Sequence, residues 1–278
     1  MLSFNQFGEK MDTSTLSILG CGNIGSAIAQ GLKKTGEYET DHVILTKRKV
    51  KSLDGLQAYG FQITNDNVEA VKKSSIVIIT VGPSQLMSLL QEITPHLNNH
   101  LIISVVSGVK INEIQDVVGN KTPIIRAMPN TAADLCESMT CLSTISNFEN
   151  ELETAKSLFD HIGKTLVIDE DQMASATALG ACGIAFFLRA IRAASQGGIE
   201  IGFHSNEAFT IAAQTARGAA TLLLNNDAHP EAEIDRVTTP MGATIAGLNE
   251  MEHQGFSSAM IKGITTSTEK VSKLFSKE

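Results

Sequence analysis

The chain has 278 residues, 42% of them hydrophobic, and a formal net charge of −8. Domains usually run about 100–200 residues, so two domains are expected. An acidic chain with no Trp and only two Tyr offers little to a phosphate backbone or to stacked bases, which argues against a nucleic-acid partner.

The four cysteines, Cys21, Cys136, Cys141 and Cys182, contain no Cys-x-x-Cys pair. They read as reduced thiols of a cytoplasmic protein, not as a disulfide framework. The histidines are scattered and no metal site is expected. Met1–Thr15 is polar and lacks the apolar stretch of a signal peptide. No uninterrupted run reaches the roughly 18 apolar residues of a membrane span, so no membrane association is expected.

Leu16–Leu19 reads as a strand ending at Gly20, and Ser26–Lys33 as the helix that follows. Further strands are expected at Val43–Leu45, Ile76–Val81, Leu101–Val106, Pro123–Arg126, Cys141–Ser143 and Thr165–Ile168. Near-continuous β-branched runs such as Ile76–Val81 suit parallel strands covered on both faces. Helices are expected at Lys51–Ala58, Val68–Lys72, Ser84–Ile93 and Ile111–Val118. This alternation implies an α/β fold, an N-terminal doubly wound parallel sheet of the Rossmann type over residues 1–168. Residues 169–278 carry no strand signal. Asp171–Phe203, Asn206–Leu224, Ala243–Glu252 and Ser257–Leu274 read as helices, giving an all-α C-terminal domain. The first of these is apolar nearly all round, so it must be buried on every side. Dimerisation through it is expected.

Gly20-x-Gly22-x-x-Gly25 stands between a strand and a helix, where the dinucleotide fingerprint belongs. The first glycine allows the tight turn, the second a close approach of the pyrophosphate, the third close helix–strand packing. Leu19, Gly20, Cys21, Gly22, Asn23, Ile24 and Gly25 are thus candidate cofactor contacts. An NAD site carries a carboxylate after its second strand. Here Thr46 is followed by Lys47, Arg48 and Lys49, cations suited to a 2′-phosphate. NADPH is expected, with NADH as the lesser alternative.

Several segments, taken together, resemble the pyrroline-5-carboxylate reductase family. They are Gly20–Gly25, Val106-Ser107-Gly108-Val109, Arg126-Ala127-Met128-Pro129-Asn130-Thr131, Gln196–Gly202 and Val237–Leu248, the last containing Thr-Pro-Met-Gly-Ala-Thr-Ile. The likeness spans Leu16 to Ser272. It implies NADPH-linked reduction of a cyclic imine to proline, the last step of proline biosynthesis. It implies a homodimer with interleaved C-terminal helices, and beyond it a larger ring, a decamer built of dimers. Thr239 would contact the substrate carboxylate together with the backbone N–H groups of Gly242, Ala243 and Thr244. The Thr244 hydroxyl would bond the imine nitrogen. Asn67, Thr80, Val81, Gly82, Pro83, Val105, Val106, Ser107 and Asn130 match family positions around the cofactor.

The chain departs from the family pattern at four places. Gly82 replaces a lysine, Ala132 a proline, and Met241 a glycine. Gly180-Ala181-Cys182-Gly183-Ile184-Ala185-Phe186 replaces a stretch with two serines, a proline and a tyrosine. Lost hydroxyls change what a polar site discriminates, so a reductase for another cyclic imino acid, or a weak or non-catalytic NADP-binding paralogue, are the alternative readings. The β-hydroxyacid dehydrogenases share the two-domain plan but need a lysine on the long helix, and no lysine occurs between Lys164 and Lys262.

Overall fold

The computed structural model describes residues 15–145, 147–226 and 229–275. The polar opening stretch, apart from Thr15, lies outside them. The chain divides into two compact units, Met1–Ala181 with Thr268–Glu278, and Cys182–Ser267.

The first unit is built on an eight-stranded sheet in the order β3-β2-β1-β4-β5-β6-β7-β8. The strands are β1 Leu16–Leu19, β2 Val43–Thr46, β3 Gln62–Thr64, β4 Ile76–Ile79, β5 Leu101–Ser104, β6 Ile124–Met128, β7 Ser138–Ser143 and β8 Gly163–Val167. From β3 to β6 every neighbouring pair is parallel. β7 then pairs antiparallel with β6, and β8 pairs parallel with β7. β1, β2, β4 and β5 are buried at every residue, which is why they are written almost wholly in Ile, Val and Leu.

The helices of this unit are α1 Asn23–Thr35, α2 Asp54–Gln57, α3 Asn67–Lys72, α4 Pro83–Ile93, α5 Ile111–Val118, α6 Glu149–Asp160 and α7 Met173–Ala176. One core gathers Leu16, Ile18, Ile28, Leu32, Phe159 and their neighbours. The other gathers Ile79, Leu86, Leu90, Ile93, Ile111 and Ile114. Strand order reverses on either side of the β1–β4 pair, and such a switch point opens a crevice at the C-terminal strand ends.

Three features of this unit depart from the sequence expectations. β3 is three residues long and only partly buried, too short to show a period. α6 is charged on most of its surface and buries only Ala155, Leu158 and Phe159. Thr177–Ala181 is a π-helical turn between α7 and the next helix, a form with no sequence periodicity of its own.

The second unit consists of α8 Gly183–Glu200, α9 Ser205–Asn226, α10 Pro230–Arg236, α11 Ala243–His253 and most of α12 Phe256–Phe275. α8 and α9 pack where Gly198 meets Ala208; a Cβ on Gly198 would stand 2.9 Å from that of Ala208. Otherwise the unit has almost no interior. Among its described residues only Gly183, Ser195 and Ala208 are buried. Phe187, Leu188, Phe209, Leu224 and Ile261 are exposed.

Glu170–Glu200, with a mean hydropathy of 1.6, is long and apolar enough to cross a membrane by length and composition alone. The expectation that no segment would qualify is therefore corrected. A continuous apolar run is absent, but averaging over glycines and alanines lifts the helix past the threshold. The same run carries Arg189 and Arg192.

Candidate active site

In the first unit, the glycine turn leaves β1 and feeds α1 at the reversal of strand order. Gly20 has φ +80°, and a Cβ there would lie 2.3 Å from Val81 Cγ1. Only glycine fits both conditions. At Gly25 a Cβ would stand 2.7 Å from Thr80 Oγ1 and 3.2 Å from Ile18 Cγ2, so its absence lets α1 sit against the sheet. Gly22 differs, because the nearest atom to its missing Cβ is 3.8 Å away. That space is open to a ligand.

Gly22 caps α1 without a side chain, and no acidic residue stands in the first turn. The N–H groups of Asn23, Ile24 and Gly25 lack intrahelical acceptors at such a terminus. Together with the helix dipole they form an anion site.

Hydrogen bonds fix this turn from several sides. Thr80 Oγ1 donates at 3.1 Å toward the carbonyls of Leu19 and Gly20. Cys21 N–H donates to Thr46 O at 2.7 Å. Gly20 N–H donates to Thr46 Oγ1 at 3.2 Å, and that hydroxyl donates to Asn67 Oδ1 at 2.7 Å. The chain of bonds continues from Asn67 Nδ2 toward the Glu92 carboxylate at 3.4 Å. Thr46 and Asn67 thus brace the turn against β2 and the start of α3. The family resemblance places Thr80 at a strand end beside the cofactor, and its hydroxyl is bonded to the carbonyls of the glycine turn. Burial raises the Cys21 thiol pKa, against smaller lowering effects of Ser26 and Lys47.

Lys47, Arg48 and Lys49 follow directly on β2. Lys47 is half-buried, and Arg48 and Lys49 are exposed. Among the described residues none of the three enters an ion pair, so their charges remain available to an anion. Between the end of β2 and Asp54 the chain carries no carboxylate.

The other expected cofactor residues gather at the C-terminal strand ends of the same sheet. Val81, Gly82 and Pro83 follow β4, with Gly82 capping α4 and Pro83 at its first position. Val106 and Ser107 follow β5; Ser107 Oγ lies 3.9 Å from Met128 Sδ. Asn130 follows β6 but is buried and engaged. Its N–H donates to Ser138 Oγ, its Oδ1 accepts from Ala132 N–H, and its Nδ2 donates to Gly180 O. The side chain holds the backbone in place.

In the second unit, Thr239-Pro240-Met241-Gly242 forms a turn closed by Gly242 N–H donating to Thr239 O at 2.9 Å. This engages one of the three amides expected to receive a carboxylate. The N–H groups of Ala243 and Thr244 remain at the start of α11, capped by Gly242 with no side chain and no acidic residue nearby. A Cβ on Gly242 would come within 2.5 Å of Thr239 Oγ1. Met241 takes the left-handed conformation, φ +58°, and its side chain is fully exposed. Thr239 and Thr244 are exposed as well. The neighbouring Thr238 hydroxyl is spent on Ile234 O at 2.7 Å.

His96 and His100 stand four residues apart, a spacing a metal could use. His100 is instead committed to the backbone, accepting from Asn98 N–H and bonding Val71 O. Among the described residues no cluster of three metal-ligating side chains occurs.

Residues 170–274 match a family model described as pyrroline-5-carboxylate reductase dimerisation, and residues 15–108 one described as NADP oxidoreductase coenzyme F420-dependent. Pyrroline-5-carboxylate reductase 2 of Dictyostelium discoideum is 49% identical over 280 residues, covering 94% of this chain and 93% of that protein. The chain belongs to the pyrroline-5-carboxylate reductase family. Pyrroline-5-carboxylate reductase 1 of the same organism is 51% identical over 97% of this chain. The chain spans only about half that relative's length, 51%. The solved structure of Plasmodium falciparum pyrroline carboxylate reductase, with NADP bound, superposes with a TM-score of 0.88 at 24% identity, covering 96% of this chain and all of that one. That likeness shows the same fold. The dimerisation match covers the unit that has almost no buried residues of its own.

Proposed function

We propose that the protein reduces 1-pyrroline-5-carboxylate to L-proline with NADPH. The observation that carries the reading is the pair of unengaged anion sites built on helix starts. One is at α1, flanked by three free cations. The other is at α11, flanked by two threonine hydroxyls. Family membership supplies the reaction that uses both.

When bound, the nicotinamide supplies the hydride that a protonated imine readily accepts. The chain's own work is placement. The glycine turn and α1 receive the pyrophosphate. Lys47 and Arg48 neutralise the 2′-phosphate. The N–H groups of Ala243 and Thr244 bind the substrate carboxylate, with the Thr239 hydroxyl as a further donor. The Thr244 hydroxyl bonds the imine nitrogen and so orients the C=N bond. Such positioning lowers the barrier without a Lys or His acid. Cofactor binding falls to residues 1–168, substrate binding and dimerisation to residues 169–278.

The protein acts as a homodimer in this reading, supported by the apolar surface of α8 and α9. A decamer rests on the family resemblance alone. Cytoplasmic residence belongs to the same proposal, supported by four unpaired thiols.

One observation favours a second substrate. Met241 projects a full side chain where the family has glycine, and the Gly180–Phe186 stretch lacks the family's hydroxyls. Both suit another cyclic imino acid, with a more apolar ring.

The test is oxidation of NADPH by the purified protein across a panel of cyclic imines. Turnover should be greatest with 1-pyrroline-5-carboxylate, and Thr244→Ala should lower kcat/KM by about tenfold to a hundredfold. A preference for another, more apolar cyclic imine supports the second reading. Absence of turnover with every imine refutes both and leaves a cofactor-binding module.

A further inference from the structure

A cavity of about 350 Å³ lies in the first unit; none of the residues assigned above to cofactor or substrate lines it, although Gly108 directly follows Ser107. Its size falls at the lower end of small-molecule sites. Its floor is the side chain of Arg126, in the middle of β6 and only 5% exposed.

A buried cation is costly unless fully compensated. Arg126 is compensated in part. One guanidinium nitrogen pairs with Glu170 Oε1 at 3.1 Å, and the same oxygen accepts the Ile111 N–H at 2.7 Å. The Arg126 Nε is buried and has no partner among the described residues. Buried donors of this kind are rare in folded proteins and ask for an explanation. Nε itself is closed to solvent, and the cavity meets the Arg126 side chain elsewhere.

The rim gives the ligand's chemistry. Lys110 adds a second cation, while Glu113, Glu170 and Asp171 place carboxylates around the same opening. Neither a simple anion nor a simple cation suits both sets. A molecule carrying an ammonium and a carboxylate on one carbon does. The apolar wall is limited to small or slender groups, among them Ala174, Met173 and Val271, so there is room for a short side chain only.

We propose that this cavity binds a small α-amino acid as its zwitterion. The carboxylate faces Arg126 and Lys110, and the ammonium faces Glu113 and Asp171. Thr177, on the cavity wall, opens the π-helical turn whose Gly180 carbonyl holds Asn130. An occupant is thereby connected to the loop after β6.

The test is calorimetric titration of the whole protein with L-alanine and L-serine, neither of which is a cyclic imino acid. Acetate, methylammonium and inorganic phosphate serve as single-charge controls. Saturable binding of the amino acids, with all controls at least about tenfold weaker, is expected. Lys110→Glu should weaken L-alanine by about tenfold or more, and Ala174→Phe should abolish it. Both variants should bind NADPH as the parent does, which shows that they are folded. Acetate or phosphate binding as well as L-alanine overturns the proposal, as does unchanged L-alanine binding in Ala174→Phe. Neither result bears on imine turnover, which is measured separately.

Discussion

Reversing the two charges after β2, as Lys47→Asp with Arg48→Asp, should collapse the preference for NADPH over NADH. In the parent, both side chains stand at the end of β2 with no internal ion pair to compete for them. A hydrogen bond to a charged group contributes about 1.5–3 kcal/mol. Arg48 is exposed and Lys47 half-buried, so solvent holds each near the lower figure. Two such bonds amount to about 3 kcal/mol, or on the order of a hundredfold in NADPH affinity. NADH lacks the 2′-phosphate and should change little. The assay is calorimetric titration of each nucleotide into parent and variant at low and high salt. The NADPH advantage should shrink as salt rises, because exposed charges are screened. Equal affinities in the parent, or an unchanged ratio in the double variant, would refute the reasoning.

Three further outcomes are expected. Gly25→Ala puts a Cβ within 2.7 Å of Thr80 Oγ1; it should cost about 1–3 kcal/mol of stability and weaken NADPH, read by urea unfolding and titration. Phe187→Glu with Phe209→Glu places charges on exposed apolar positions of α8 and α9 and should shift the protein from dimer to monomer in light scattering; a parent that already scatters as a monomer defeats the premise. The Cys21 thiol is held protonated by burial, so its contribution to stability is full below the ordinary thiol pKa and declines as pH rises through the raised one. The stability gap between parent and Cys21→Ala should therefore narrow on going from neutral to alkaline pH, and a constant gap would contradict the assignment.

The sheet was legible because its strands are buried on both faces. Leu16–Leu19 and Ile76–Ile79 need no alternation to announce themselves, and the glycine turn between β1 and α1 is dictated by contacts that no other residue survives. The charges after β2 were legible for the opposite reason, since nothing in the fold needs them. What escaped were elements whose stability is tertiary. Gln62–Thr64 is a strand because β2 offers it a partner at Ile44–Thr46. Thr177–Ala181 is π-helical though its sequence, Ala-rich, would suit an ordinary α-helix. Asn130 carries a structural task that no spacing announces, its side-chain amide accepting from Ala132 N–H and donating to Gly180 O.

The second unit shows the limit more sharply. Its sequence has the composition of an interior, and the stretch through α8 even has the length and mean hydropathy of a membrane span. In the isolated chain that surface is exposed, and three buried residues among those described cannot hold five helices together. Exposed apolar area on this scale is stable only when something covers it. A bilayer would leave Arg189 and Arg192 in the apolar helix without compensation, whereas a second copy offers an apolar face of the same kind along with polar groups at its edge. The match of residues 170–274 to a dimerisation model agrees with the physical choice. Helix periodicity alone could not have made that choice, because it specifies that a face is buried but never against what.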